Sequence, residues 1–535
     1  MKTNRIAGLS ISVLVLACTT AAYAQVNVTT YHNDNGRTGQ NLQETILTTS
    51  NVNTTTFGKL FSQTIDGYPY SQPLYLSNVS IPNKGSHNVV YVTTMNDSVY
   101  AFDADNKTGS NAQPLWKVNF TNSGKGITAV PESDVNCPDV ITTQIGIMST
   151  PVIDSIGGTI FVLARTLESG KYFHRLHALD VTSGAEKFGG PIAITASVPG
   201  KGNGAKNGMI SFNPQLENQR SALLYQNGLV YVSWASLCDF SSYHGWVMAY
   251  SAQTLAQTAV WLTTANGKQG GIWQSGDGPA GDSTFNTFIT TGNGTFDANV
   301  SGGIDYGQSV VKAGPPAADT LPVLDYFTPF NALTYNTTDL DIGSSGLVLL
   351  PDQTGPHKHL LVQSDKAGDL YLINRDNMGK FNAGSNSQIV QSLTAVNKGM
   401  WSSPAWWNNF VYLGGQAQPI QAFTFNPTTG LLSTAPTSKT STSYGYPGTT
   451  VSISANQTSN GILWALNNST YKNASGNAVL NAYMANNLGK RLYVSTTNAK
   501  RDNPGGAVKF QVPTVVNGKV YVATQKSLAV YGLLN

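Results

Sequence analysis

Apolar residues along this chain come in short runs, and tight polar turns separate the runs. Val89-Val90-Tyr91-Val92, Val230-Tyr231-Val232 and Val520-Tyr521-Val522 carry the β-branched and aromatic content and the period of two that predict strands. The runs are bounded by Gly, Asn and Ser, which tolerate the backbone angles of tight turns. Nothing between them reads as a crossover helix, so the pattern excludes an α/β sheet.

The strands repeat as a unit. A strand often opened by Pro is followed by one of the type Val-Tyr-Val and one of the type Val-x-Ala-x-Asp, then by a Gly turn and sometimes a Trp. The clearest copy is Gln72-Pro73-Leu74-Tyr75-Leu76, Val89-Val90-Tyr91-Val92-Thr93-Thr94, Ser98-Val99-Tyr100-Ala101-Phe102-Asp103 and Pro114-Leu115-Trp116. Further copies begin near residues 149, 222, 276, 346, 403, 451 and 512. Eight such units predict an all-β, eight-bladed β-propeller of four-stranded blades over residues 57–535. The last copy ends with the chain and lacks a fourth strand. Phe57-Gly58-Lys59-Leu60-Phe61-Ser62-Gln63-Thr64 has no blade of its own and is expected to supply it. That closes the ring and buries two open edges. A β-sandwich array and a parallel β-helix use differently built repeats.

Composition fits this picture. Of 535 residues, 40% are hydrophobic and 11% charged, with 53 glycines supplying turns. The net charge of +3 is too small and dispersed to indicate nucleic acid or an anionic membrane as a partner. Residues 1–24 read as a secretory signal: Lys2 and Arg5, an apolar stretch from Ile6 to Ala17, and the cleavage pattern Ala22-Tyr23-Ala24. The mature chain then starts at Gln25 with an N-terminal extension over 25–56, lacks a transmembrane segment, and is periplasmic or extracellular. Val15-Leu16-Ala17-Cys18 offers a minor alternative, a lipoprotein anchored through Cys18. Cys137 and Cys238 remain, free to pair in an oxidising compartment. His32, Asp34 and Arg37 form a candidate polar cap on the ring. His174 and His177 fall on or beside a strand, on opposite faces, so they do not read as a zinc site.

The Val-Tyr-Val … Ala-x-Asp-x-x-(Thr/Ser)-Gly … Trp unit resembles the repeat of the pyrroloquinoline quinone (PQQ) alcohol dehydrogenases, exported eight-bladed propellers. The stretch Tyr31-His32-Asn33-Asp34-Asn35-Gly36-Arg37-Thr38-Gly39 also resembles a group of secreted bacterial proteins known only for such repeats. Sharper matches lie in the fourth and fifth units. Gly292-Asn293-Gly294 resembles the family's Thr-Gly-Asn, which implies a metal ligand at Asn293. Trp273 stands where the family places the Trp under the quinone. Asp325-Tyr326-Phe327-Thr328-Pro329 followed by Asp339-Leu340-Asp341 resembles its aromatic-Thr-Pro stretch, catalytic Asp and lanthanide-binding acid. The resemblance thus implies Asp339 as the base and Asp341 as a metal ligand. Ser364-Asp365-Lys366 is similar to the segment whose basic residue contacts the quinone. Asp239 lies near the family's third-blade metal-binding Glu, ahead of Tyr243-His244-Gly245. The implied cofactors are PQQ and calcium or a lanthanide, and the implied substrate is a small alcohol or sugar.

The chain also departs from that family. Ile147-Met148-Ser149 stands in the region of the family's adjacent cysteine pair. Each nominated residue has a structural reading beside the functional one: Asp339 and Asp341 as turn acids, Asn293 as a hairpin turn, Trp273 as blade packing, Lys366 as a loop charge. Two functions therefore stay open. One is a quinone-dependent dehydrogenase. The other is a non-catalytic propeller that binds a protein, a glycan or a surface polymer.

Overall fold

The computed structural model describes Met1, residues 26–135, Cys137 and residues 144–534. The proposed signal segment, with Cys18, lies outside them except for Met1. The described chain is an all-β propeller of eight blades. From the inner strand outwards, blade 1 is Leu74–Ile81, Gly85–Thr93, Ser98–Asp103 and Trp116–Asn119. Blade 2 is Val152–Asp154, Thr159–Glu168, Lys171–Asp180 and Ile192–Ala193; blade 3 is Leu224–Gln226, Leu229–Ser236, Trp246–Ser251 and Gln257–Leu262. Blade 4 is Ala280–Gly281, Thr287–Thr290, Val310–Ala313 and Val323–Thr328; blade 5 is Leu347–Leu349, Leu360–Ser364, Leu370–Asn374 and Gln391–Leu393. Blade 6 is Ala405–Trp407, Phe410–Leu413, Gln418–Asn426 and Ser438–Tyr444; blade 7 is Ser452–Asn456, Ser459–Asn467, Val479–Met484 and Asn487–Val494. Blade 8 is Thr514–Val516, Lys519–Thr524 and Ser527–Leu533, and Phe57–Thr64 completes it by pairing antiparallel with the last of these. The ring closes through the N-terminal strand, as its missing fourth strand predicts.

The repeat signature has a packing reason. The Tyr of the second strand reaches across to the next blade and donates to a backbone carbonyl just past that blade's third strand. Tyr91 donates to Val181 O (3.0 Å), Tyr412 to Ala485 O (3.0 Å) and Tyr521 to Ala104 O (3.2 Å). Each latch satisfies a buried hydroxyl while its ring fills the space between blades. Trp116 does the same from the outer strand, donating to Val181 O (2.9 Å). His174 meets Trp234 edge-on at 6.2 Å, whereas His177 stacks on Phe120 at 3.6 Å. The two histidines do face opposite sides of their strand.

The N-terminal extension plugs the axis. Between Val28 and Asn41 it bonds to the inner strand region of every blade. Val28 pairs with Tyr75, Thr29 O accepts from Ile153 N–H, and Asn35 O accepts from Gly281 N–H. Gly36, Thr38 and Gly39 carbonyls accept from Leu349, Trp406 and Ile453 N–H groups. Asn41 donates to Val515 O at 3.1 Å. Arg37, fully buried, donates to Leu223 O (3.2 Å), Pro279 O (2.8 Å), Tyr31 O (3.0 Å) and Thr30 Oγ1 (2.6 Å). His32 lies against Gly39, where φ is +73° and an added Cβ would come within 2.4 Å of the imidazole. The polar cap is therefore an internal hub.

Candidate functional site

At the other end of the axis the loops leading into the inner strands, with those joining second to third strands, surround a cavity of about 380 Å³. That volume suits a small ligand. All eight blades or their lead-in loops reach it. In five of them the lining residue sits four positions ahead of the inner strand: Tyr70, Met148, Arg220, Trp401 and Phe510. Trp273, Asn293, Asp339, Asp341, Lys366 and Asp239 line the same cavity. The structure thus brings together all six residues singled out from the sequence.

One side of the cavity is acidic. Asp339 caps the short helix Ala332–Thr338 in the left-handed conformation (φ 55°), which Asp tolerates. Its carboxylate is 68% exposed. Asp341, two residues on, is buried and opens a 3₁₀ turn. Lys366, on the turn between the second and third strands of blade 5, lies between them. Its Nζ is 2.9 Å from Asp339 Oδ1 and 2.6 Å from Asp341 Oδ1. Burial pulls the Lys366 ammonium down, but the two carboxylates reverse this, and its pKa stands above the ordinary lysine value. Burial raises the Asp341 carboxyl, and Lys366 offsets that only in part. Asn293 Nδ2 donates to Asp339 Oδ1 (2.7 Å), while its Oδ1 accepts from Gln308 Nε2 (2.7 Å). Asp239 accepts from the Tyr243 hydroxyl.

Trp273 forms a half-buried platform beside this cluster. Its Nε1 donates to Ser236 O (3.1 Å) and its ring meets Tyr243 edge-on at 5.8 Å. Gly271 and Gly292 make room for it: a Cβ at either would fall within 2.8 Å of the indole. Cys137 and Cys238 are joined as a disulfide in the cavity wall, which ties the segment ahead of blade 2 to the loop carrying Asp239.

The facing side is aromatic and basic. Arg220 Cζ sits 3.6 Å from the centre of the Phe510 ring, and Lys509 Nζ lies 5.6 Å from Tyr446 and 5.1 Å from Phe510. Arg220 Nε and Nη2 are shut off from solvent, and among the described residues neither has a hydrogen-bond partner. No described carboxylate pairs with the guanidinium. Burial alone pulls its pKa to about 10, with the nearby tyrosines pulling the other way. A buried cation without a counter-charge is costly unless something else supplies one.

The architecture matches known structures across nearly the whole chain. The quinohemoprotein alcohol dehydrogenase ADHIIG from Pseudomonas putida superposes with a TM-score of 0.58 at 15% identity, over 95% of this chain and 80% of the other. The chain has the fold of the quinoprotein alcohol dehydrogenases. A europium-containing methanol dehydrogenase gives a TM-score of 0.60 at 14% identity, covering 95% of this chain and 98% of that one. BamB from Moraxella catarrhalis gives 0.50 at 12% identity, covering 89% and 99%. No family model matches the sequence, and no curated protein sequence matches it. No helix among the described residues is long and apolar enough to cross a membrane.

Sequence reasoning missed Arg220, Trp401, Tyr446, Lys509 and Phe510 as site residues. They belong to no local motif. A signal was nonetheless present: Tyr70, Met148, Arg220, Trp401 and Phe510 each precede by three the residue, usually Pro, that comes immediately before an inner strand.

Proposed function

We propose that the cavity takes a flat, anionic aromatic cofactor of the pyrroloquinoline quinone type, and that the protein is an exported oxidoreductase acting on a small alcohol or sugar. The observation that carries this reading is the half-buried guanidinium of Arg220, whose Nε and Nη2 have no hydrogen-bond partner among the described residues, in one axial cavity with Trp273 and the acidic cluster. A carboxylate on the ligand would neutralise Arg220 while the Trp273 face supports the ring. A bound quinone would supply the acceptor for the two electrons of alcohol oxidation.

The chain's own part is proton handling and positioning. Asp339 lines the cavity, which supports a role in accepting the substrate hydroxyl proton. Its two partners, Asn293 and Lys366, both bond to Oδ1, which orients the carboxylate and leaves the second oxygen for the proton. Asp341 holds Lys366 in place from below. The disulfide supports export to an oxidising compartment.

The test is titration with PQQ followed by tryptophan fluorescence, together with dye-linked oxidation of alcohols and sugars. Asp339→Asn is expected to lower turnover about 10²–10⁴-fold with PQQ binding retained. Absence of saturable PQQ binding would overturn the reading. A ligand-binding propeller without catalysis is the second reading, favoured because Lys366 already pairs with Asp339 and Asp341. It predicts no turnover with any substrate and no effect of Asp339→Asn on ligand binding.

A further inference from the structure

Each of the three side chains nominated as metal ligands already has a partner within the protein. Both side-chain polar atoms of Asn293 are engaged, and its backbone carbonyl accepts from Gly270 N–H at 2.6 Å. Asp239 is held by the Tyr243 hydroxyl. Asp341 Oδ1 faces the Lys366 ammonium at 2.6 Å, and the same ammonium bonds Asp339 Oδ1 at 2.9 Å. A calcium ion gathers six to eight oxygens at about 2.3–2.6 Å. Lys366 Nζ lies between Asp339 and Asp341, so the Asp341 oxygen nominated for such an ion already faces an ammonium. A second cation there would meet the lysine charge at contact distance in a half-buried site. Among the described residues no three His, Cys, Asp or Glu side chains gather closely enough to hold a metal.

The donor set therefore does not fit a calcium or lanthanide ion, although the surrounding fold is one in which a europium-containing enzyme is known. We propose that Lys366 is the resident cation of this cavity. Its ammonium takes the place of a metal ion between Asp339 and Asp341, and the cavity binds its ligand without a divalent or trivalent metal. The inference rests on the proposed reading only for the identity of that ligand. The occupancy of the cation position is a property of the protein alone. Lys366 is suited to the role because the Asp339–Leu340–Asp341 turn fixes two carboxylates around its Nζ. The backbone N–H of Lys366 also lies 3.4 Å from Asp341 O, which holds the lysine turn against the acidic one.

Terbium luminescence sensitised by the cavity tryptophans, Trp273 and Trp401, tests this directly. Chelator-treated wild-type protein is expected to show no saturable terbium signal. Lys366→Gln, with circular dichroism matching wild type, is expected to gain a saturable site that a second change, Asp341→Asn, removes again. Two results would overturn the proposal. One is saturable terbium binding in the wild type that Asp341→Asn abolishes. The other is a folded Lys366→Gln protein that gains no site. A second measurement on unmodified protein guards against a variant that does not fold: PQQ affinity with excess chelator against excess calcium. Equal affinities support the proposal, and a calcium-dependent gain of about tenfold or more overturns it. If PQQ binds under neither condition, the quinone reading fails, and the terbium result on wild type still decides whether Lys366 excludes the metal.

Discussion

Two arginines lie along the axis of this ring, Arg37 in the plug and Arg220 at the mouth, and their surroundings differ completely. Arg37, in the N-terminal plug, spends its guanidinium on four backbone or hydroxyl oxygens and lies 3.7 Å from Asp277. Arg220, at the mouth, is pressed on Phe510 with Nε and Nη2 unpartnered among the described residues. Arg37 is fully buried, while Arg220 is half-buried with its Nε and Nη2 closed to solvent. The clearer difference is partnership: the bonds of Arg37 are made inside the protein and hold the fold, and on the proposed reading the unpartnered side of Arg220 is where a ligand binds.

Substituting the two arginines should have opposite consequences. Arg37→Met leaves buried Asp277 without its counter-charge and the Leu223 and Pro279 carbonyls, just ahead of two inner strands, without their donor. It should cost about 3–5 kcal/mol in denaturant unfolding, the largest loss predicted here. Cys238→Ser releases the wall that closes the mouth and should cost about 2–4 kcal/mol, reproduced in wild type by reductant. Arg220→Met removes a buried charge that no described group neutralises. Its unfolding free energy should stay level or rise by about 1 kcal/mol, while ligand binding weakens. A destabilised Arg220→Met would erase the proposed difference between the two ends.

A smaller effect concerns pH. Asp365, next to Lys366, is pushed up to about 8, first by burial and then by the neighbouring Asp369. The unfolded carboxyl titrates near 4, so between those values the folded state holds a proton that the unfolded chain has released. The contribution of Asp365 to stability is therefore full below pH 4 and lost as pH rises towards 8. Thermal melts of wild type against Asp365→Asn should converge in favour of the variant from pH 5 to 9. A constant difference would remove Asp365 as the titrating group.

The ring was legible in the sequence because each blade is a local pattern. Val-Tyr-Val signals the second strand and Val-x-Ala-x-Asp the third. The absent fourth strand of the last unit points to Phe57–Thr64. Trp273, Asn293, Asp339 and Lys366 were legible through adjacent motifs in two neighbouring blades. The basic and aromatic wall was not, since Arg220, Trp401 and Phe510 are far apart in sequence and meet only when the ring closes. Their common place four residues before an inner strand becomes meaningful once those strands are known to surround one axis. The plug was legible in part: His32, Asp34 and Arg37 stood out as polar, yet the reach of the segment from Val28 to Asn41 to all eight blades follows from ring geometry rather than from local pattern.

On the proposed reading, the mouth is a site for a flat anionic ligand held by Arg220. Titration of wild type and Arg220→Met with PQQ, read by tryptophan quenching, tests that most directly. The prediction is saturable quenching in the wild type and a dissociation constant raised about 10–100-fold in the variant, the worth of one charge-assisted bidentate pair. No saturable quenching in the wild type, or equal binding by both proteins, would contradict it.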